Sequence, residues 1–214
     1  MARVKICGIT NVADARVCVE AGADMLGFLV VPREGAQFVS KQKAAEIIAQ
    51  LPDSVMSVVA TLSSEAQEIV DLVGGTHAKA VQLHGETSPE TVSSVRRALP
   101  ETKIFKVIHV IGEEAIAEAQ KYESLVDAIL LDTATGSGER GGTGATHDWS
   151  VSKQIVEKIS VPIILAGGLN PENVEEAIAT VHPYGVDVRS GVSNSDGTKD
   201  LEKVRQFIAQ AKSA

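Results

Sequence analysis

Cys7 and Asp132 are the side chains in this sequence best suited to moving protons. Cys7 ends the run Val4-Lys5-Ile6-Cys7, and Gly8 and the helix-capping pair Thr10-Asn11 follow it, the pattern of a strand that turns into a helix. Alternation along a strand puts Lys5 and Cys7 on one face, with Val4 and Ile6 on the other. An ammonium two residues from a thiol favours the reactive thiolate. The structural alternatives are a small buried hydrophobe for Cys7 and a buried ion-pair partner of a carboxylate for Lys5. Asp132 closes the apolar run Ile129-Leu130-Leu131 and precedes Thr133. A carboxylate in that place is costly without a partner or a task; its alternative is to cap the next turn. Set across one mouth from a thiolate base, it would serve as a general acid.

Two glycine-bearing turns suit an anion. Ala166-Gly167-Gly168-Leu169 runs into Asn170-Pro171, a helix start, and Ser190-Gly191-Val192 follows the apolar run 185–188. Glycine lets backbone N–H groups approach a phosphate closely; the plainer reading is that these glycines only permit tight turns. The five histidines, at 77, 84, 109, 147 and 182, form no metal-binding spacing with Cys, Asp or Glu, so no metal is expected.

The elements that must hold these groups repeat without a break. Strand patterns fall near 4–7, 25–30, 55–60, 80–83, 104–108, 128–131, 162–165 and 185–188. Helical patterns follow near 12–21, 41–50, 64–73, 89–98, 113–121, 150–159, 171–181 and 201–212. No linker divides them. Eight β/α units predict a single-domain (β/α)8 TIM barrel over 1–214, since the glycine fingerprint of a dinucleotide-binding sheet is missing after the first strand. Such a barrel works at the C-terminal ends of its strands, and that is where Cys7, Gln82, His84, Asp132, Gly167, Gly168, Arg189, Ser190 and Gly191 fall. Loops after strands 7 and 8 are the usual phosphate site of these barrels.

Composition narrows the partners. The net charge of −8 argues against nucleic acid, and no apolar run reaches membrane-spanning length. Two cysteines make no disulfide framework, and a reducing cytoplasm is the expected compartment. The expected partner is a phosphorylated small molecule, met by a monomer or a homodimer. Lys199 and Asp200 have two readings, solvated surface or a border of the phosphate loop, and surface is the favoured one.

With these pieces assembled, the chain resembles the phosphoribosylanthranilate isomerase family of tryptophan biosynthesis. The matching residues are Lys5-Ile-Cys-Gly-Ile-Thr10, Val81-Gln-Leu-His-Gly85, Leu130-Leu-Asp-Thr133, Gly141-Gly-Thr-Gly144, Asp148-Trp149, Ala166-Gly-Gly-Leu-Asn170, Gly185-Val-Asp-Val188 and Ser190-Gly-Val192. They occur in family order over nearly the whole chain. The resemblance implies a (β/α)8 barrel and an Amadori rearrangement, with Asp132 as acid, Cys7 as base and Gly167, Gly168, Ser190 and Gly191 around the phosphate. No cofactor is implied, because the protonated imine itself withdraws electrons.

The chain departs from the family pattern in four places. Gln37 stands where an arginine usually meets the anthranilate carboxylate, with Arg33 earlier in the same loop. Strand 3 ends Val58-Val59-Ala60-Thr61, without the usual aromatic. Arg189 replaces a small residue and has two possible roles, pairing with Asp187 or adding charge at the phosphate. His147 replaces an aromatic before Asp148-Trp149. These changes are expected around the aglycone pocket and the phosphate rim. They leave open a paralogous sugar-phosphate isomerase acting on another amine, and a non-catalytic phosphate-binding barrel.

Overall fold

Short β-branched and aliphatic runs separated by capped amphipathic helices fold here into a closed barrel. The computed structural model describes residues 1–31, 37–133 and 146–214. The strands are β1 (Arg3–Cys7), β2 (Met25–Leu29), β3 (Met56–Thr61), β4 (Ala80–Leu83), β5 (Lys103–Val110), β6 (Ala128–Thr133), β7 (Ile163–Leu165) and β8 (Gly185–Val188). Each is followed by a helix: α1 (Val12–Glu20), α2 (Lys41–Ile48), α3 (Ala66–Thr76), α4 (Pro89–Ala98), α5 (Glu114–Gln120), α6 (Trp149–Lys158), α7 (Val174–Val181) and α8 (Leu201–Ser213). The strands pair in parallel in chain order, and β8 closes onto β1 with Lys5 opposite Asp187.

Alternating side chains make two cores. Inside the barrel Met25, Val58, Ala80, Phe105, Val107, Ala128, Leu130, Ile164 and Ala166 pack together. The opposite face of the strands, including Val4, Ile6, Leu26, Val59 and Ile129, packs against the helices. A fully buried aliphatic side chain of this size contributes about 1.5–3 kcal/mol. Small aliphatics fill both layers, as the scarcity of aromatics requires.

Local chemistry sets the helix ends. Asn11, Ser40, Ser88, Asp148 and Asp200 each accept a hydrogen bond from an amide of the first turn. Helix α3 runs three residues past its expected end, through Gly74 and Gly75, because His77 rather than a glycine takes the left-handed cap (φ 54°). A Cβ at Gly75 would meet only the flexible end of the exposed Lys41 side chain, 2.8 Å away. Helix α6 opens on Trp149, whose indole N–H is buried and donates to nothing among the described residues.

Two aspartates brace the N-terminal end of the barrel. Asp24 accepts from the Val4 amide (2.9 Å) and pairs with Arg3 (2.7 Å) and Lys212 (3.1 Å). Asp127 accepts from the Ile104 amide (2.9 Å) and pairs with Lys103 (2.9 Å) and Arg96. Burial by itself would raise both carboxyls, but the amides and cations outweigh it and hold both below the usual range.

Candidate active site

Cys7 ends β1 in a small cluster with Leu29, Ala60 and Phe38 at the C-terminal mouth. Opposite it in register is Gly27. A Cβ at Gly27 would lie 2.8 Å from the Cys7 Sγ and 2.9 Å from the Lys5 Nζ, so thiol and ammonium share the space that a side chain would fill. Lys5 is fully buried, and its Nζ donates to Asp187 Oδ1 at 3.0 Å. Burial works against its charge, but Asp187 and the Cys7 sulfur more than offset this and raise its pKa. Lys5 is therefore an ion-pair partner of Asp187, and its ammonium lies beside the thiol.

Asp132, near the end of β6, is 8% exposed. Its Oδ1 accepts from the Thr133 amide at 2.9 Å, and its Oδ2 lies 3.8 Å from the His84 Nε2. Burial first, and then the negative charge of Asp187, push its pKa up to about 6. Burial, with His109 and the cations Lys5, Arg189 and Lys106 after it, brings His84 down to about 3. The imidazole is thus neutral near pH 7, and its closeness to Asp132 is not an ion pair. Gln82 sits below it, with Nε2 3.4 Å from the His84 Nδ1 and a buried Oε1 that accepts nothing among the described residues. These charges sense one another across the mouth, so β1, β4, β6 and β8 deliver a single site.

The loops after β7 and β8 lie side by side. Gly167 and Gly168 take φ values of 83° and 67°, which favour glycine. A Cβ at Gly167 would lie 2.2 Å from the Thr133 Oγ1, and one at Gly191 would lie 2.1 Å from the Leu169 carbonyl oxygen. These glycines hold β6, the β7 loop and the short 3₁₀ turn Ser190–Val192 in close approach. The amides of Gly168, Ser190 and Gly191 donate no hydrogen bond within the described residues.

Several sequence expectations shift. Arg33 and the Gly141–Gly144 motif lie outside the described residues. Gln37 precedes Phe38, whose backbone bridges Leu29. Phe38 brings to Ala60 and Cys7 the aromatic that β3 lacks; a phenylalanine inside a polar loop gave no signal of it. Asp187 pairs with Lys5, while the Arg189 stem lies against Gly8 and its charge reaches Asp132 and His84. His147 joins two elements beside Asp132. Its ring nitrogens bond Thr133 Oγ1 (3.0 Å) and Ser152 Oγ (2.6 Å), and burial brings its pKa down to about 4, so it is a neutral strut between β6 and α6.

The reading as solvated surface is overturned for Lys199, while Asp200 stays partly exposed. Lys199 is 3% exposed and Asp200 caps α8. The loop between the 3₁₀ turn and α8 folds back on itself through a Ser193–Lys199 bridge, and that carries the lysine inward.

The family model for N-(5'-phosphoribosyl)anthranilate (PRA) isomerase matches residues 4–210. The chain is 44% identical over 212 residues to N-(5'-phosphoribosyl)anthranilate isomerase of Methanocella arvoryzae, covering 99% of both proteins. It is 43% identical to N-(5'-phosphoribosyl)anthranilate isomerase 2 of Methanosarcina mazei, covering 98% of this chain and 94% of that one. The crystal structure of the Thermotoga maritima phosphoribosyl anthranilate isomerase superposes with a TM-score of 0.89 at 39% identity over both whole chains. A phosphoribosyl anthranilate isomerase in complex with reduced 1-(o-carboxyphenylamino)-1-deoxyribulose 5-phosphate superposes at 0.85 with 36% identity, again over both whole chains.

Proposed function

The chain belongs to the N-(5'-phosphoribosyl)anthranilate isomerase family of tryptophan biosynthesis, and we propose that it drives that isomerisation with Cys7 as general base and Asp132 as general acid. The reaction turns N-(5'-phosphoribosyl)anthranilate into 1-(2-carboxyphenylamino)-1-deoxyribulose 5-phosphate. Asp132 gives its proton to the furanose oxygen as the C1'–oxygen bond breaks, and the amine lone pair forms the iminium. The Cys7 thiolate then takes the C2' proton, and those bond electrons neutralise the iminium to give an enolamine. Loss of the enol proton and uptake of a proton at C1' give the ketone, so atoms and charge balance with no cofactor.

The observation that carries this assignment is the Asp132 carboxyl, buried and held near 6 at the same mouth as a thiol backed by Lys5. A carboxylic acid poised close to the working pH transfers protons better than one near 4. Neutral His84 and the Gln82 Oε1, unpaired among the described residues, suit the ribose hydroxyls. The amides of Gly168, Ser190 and Gly191, with Gly167 opening the turn and Arg189 adding charge, suit the 5'-phosphate. Gln37 and Arg33 belong to the loop that brings Phe38 to Cys7, and they take the anthranilate end. No described helix is long and apolar enough to cross a membrane, and both cysteines are free, which suits the cytoplasm. Assembly is as a monomer or a homodimer; a Thermotoga maritima relative is dimeric.

The test is turnover of freshly generated phosphoribosylanthranilate, followed by loss of anthranilate-type fluorescence. Cys7→Ala and Asp132→Asn should each lower kcat by about 10²–10⁴-fold with the fold intact. Near-wild-type turnover in either variant would remove that residue from its role.

A further inference from the structure

Lys199 is a buried ammonium with neutral acceptors. Its Nζ donates to the Cys7 carbonyl oxygen at 2.6 Å and to the Ser193 Oγ at 2.9 Å. Of the nearby carboxylates, Asp14 accepts from the Lys199 backbone amide (3.0 Å) and Asp187 acts on the ammonium through its charge without a bond. No carboxylate among the described residues bonds the ammonium, and burial lowers its pKa. A buried cation left in this way calls for an anion close by.

The two acceptors lead to the two working parts of the site. The Cys7 carbonyl belongs to the peptide whose N–H, on Gly8, donates to the Gly27 carbonyl at 2.9 Å. Lys199 therefore pins the peptide that follows the thiol from its other side. The second branch is a relay. Ser193 accepts from Lys199 and donates its hydroxyl proton to the Arg189 carbonyl at 2.7 Å. In a trans peptide the C=O and N–H point in opposite directions, and the structure has no cis peptide among its described residues. The N–H of that peptide is Ser190, so the relay polarises an amide of the proposed phosphate turn away from the ammonium. Chains of hydrogen bonds strengthen one another in this way.

We propose that Lys199 is a cation of the phosphate site and a positioning residue for Cys7: through Ser193 it sharpens the Ser190 amide, and the phosphate dianion supplies the counter-charge that no bonded carboxylate gives it. This rests on the phosphate lying between the loops after β7 and β8. One ammonium then ties capture of the phosphate to the setting of the base.

The experiment is competitive inhibition by inorganic phosphate, read with kcat and KM, on Lys199→Met, Lys199→Arg, Ser193→Ala and Ser190→Asp. Lys199→Met should raise the phosphate Ki and the KM by about tenfold or more, with kcat falling less. Lys199→Arg should recover most of that loss, and Ser193→Ala should raise Ki by about threefold. If Lys199→Met does not fold, Lys199→Arg and Ser193→Ala carry the comparison. Variants that melt lower yet bind phosphate as the wild type does would overturn the proposal. Ser190→Asp separates the two ideas, because it puts a carboxylate into the turn itself. Unchanged phosphate inhibition in Ser190→Asp removes the phosphate from these loops. Inhibition lost there but unchanged in the Lys199 and Ser193 variants removes Lys199 alone.

Discussion

Asp24 and Asp127 at one end of the barrel and Asp132 at the other carry the same side chain in opposite states. Each of the first two precedes a strand, β2 or β6, and grips an amide of the strand before it together with two cations. Their protons are held more weakly than usual. Asp132 has one amide, a neutral imidazole 3.8 Å away and a second carboxylate in range, and its pKa climbs to about 6. Fully paired, an aspartate is a clamp; with no cation bonded to it, the same group holds its proton to higher pH, as the acid proposed above must. Asp24 and Asp127 serve closure at the N-terminal face of this barrel, and the C-terminal face, where such barrels work, keeps Asp132 without a bonded cation.

Breaking the contrast at its reactive end should have the largest effect. Besides its loss of turnover, Asp132→Asn should stabilise the protein, because the ionised carboxylate is a cost to the fold. The sign follows from linkage. The folded pKa of about 6 lies above the ordinary 3.8, so the folded state binds the extra proton between those values and loses stability as pH rises through them. Urea unfolding should therefore show the variant ahead of wild type at pH 8 by up to about 3 kcal/mol, with the two converging below about pH 4. A variant weaker than wild type at pH 8 would mean that the carboxylate has a cationic partner.

At the other end the same substitution should do the reverse. Asp127→Asn keeps an acceptor for the Ile104 amide but strands Arg96 and Lys103. Stability should fall by about 1–3 kcal/mol with kcat unchanged. Equal stability, measured by the same urea titration, would make the clamp dispensable. The smallest shift sharpens the contrast and is read in pH alone, apart from the turnover lost with the ammonium beside Cys7. Lys5→Met with Asp187→Asn removes the buried pair and leaves no lone charge behind. Asp187 raises the Asp132 pKa more than Lys5 lowers it. The alkaline limb of kcat/KM should therefore move to lower pH, by less than about one unit. A limb that stays or moves up would put burial alone in charge of Asp132.

The eight-unit rhythm, and with it the barrel, was legible because period-two and period-3.6 patterns are local and each face of each element has one apolar destination. Cys7 and Asp132 were legible because a polar group at the end of an apolar strand stands out. Phe38 and Lys199 were not. Each sits in a connecting stretch whose composition looks solvated, and each is brought inward by a backbone bridge, to Leu29 and to Ser193. The left-handed caps His77 and His182 escaped for a related reason: αL geometry is expected of glycine, and here the neighbouring glycines stay inside helix α3 or fall elsewhere.

Trp149 is the only tryptophan in the chain, and it stands two residues beyond His147, the strut that bonds Thr133 at the end of β6. Its indole N–H, without an acceptor among the described residues, makes its emission sensitive to any new acceptor or any shift at the start of α6. The anthranilate ring absorbs where indole emits. Ligand capture can therefore be followed as energy transfer from one native donor, with no label attached and no ambiguity about which residue is glowing.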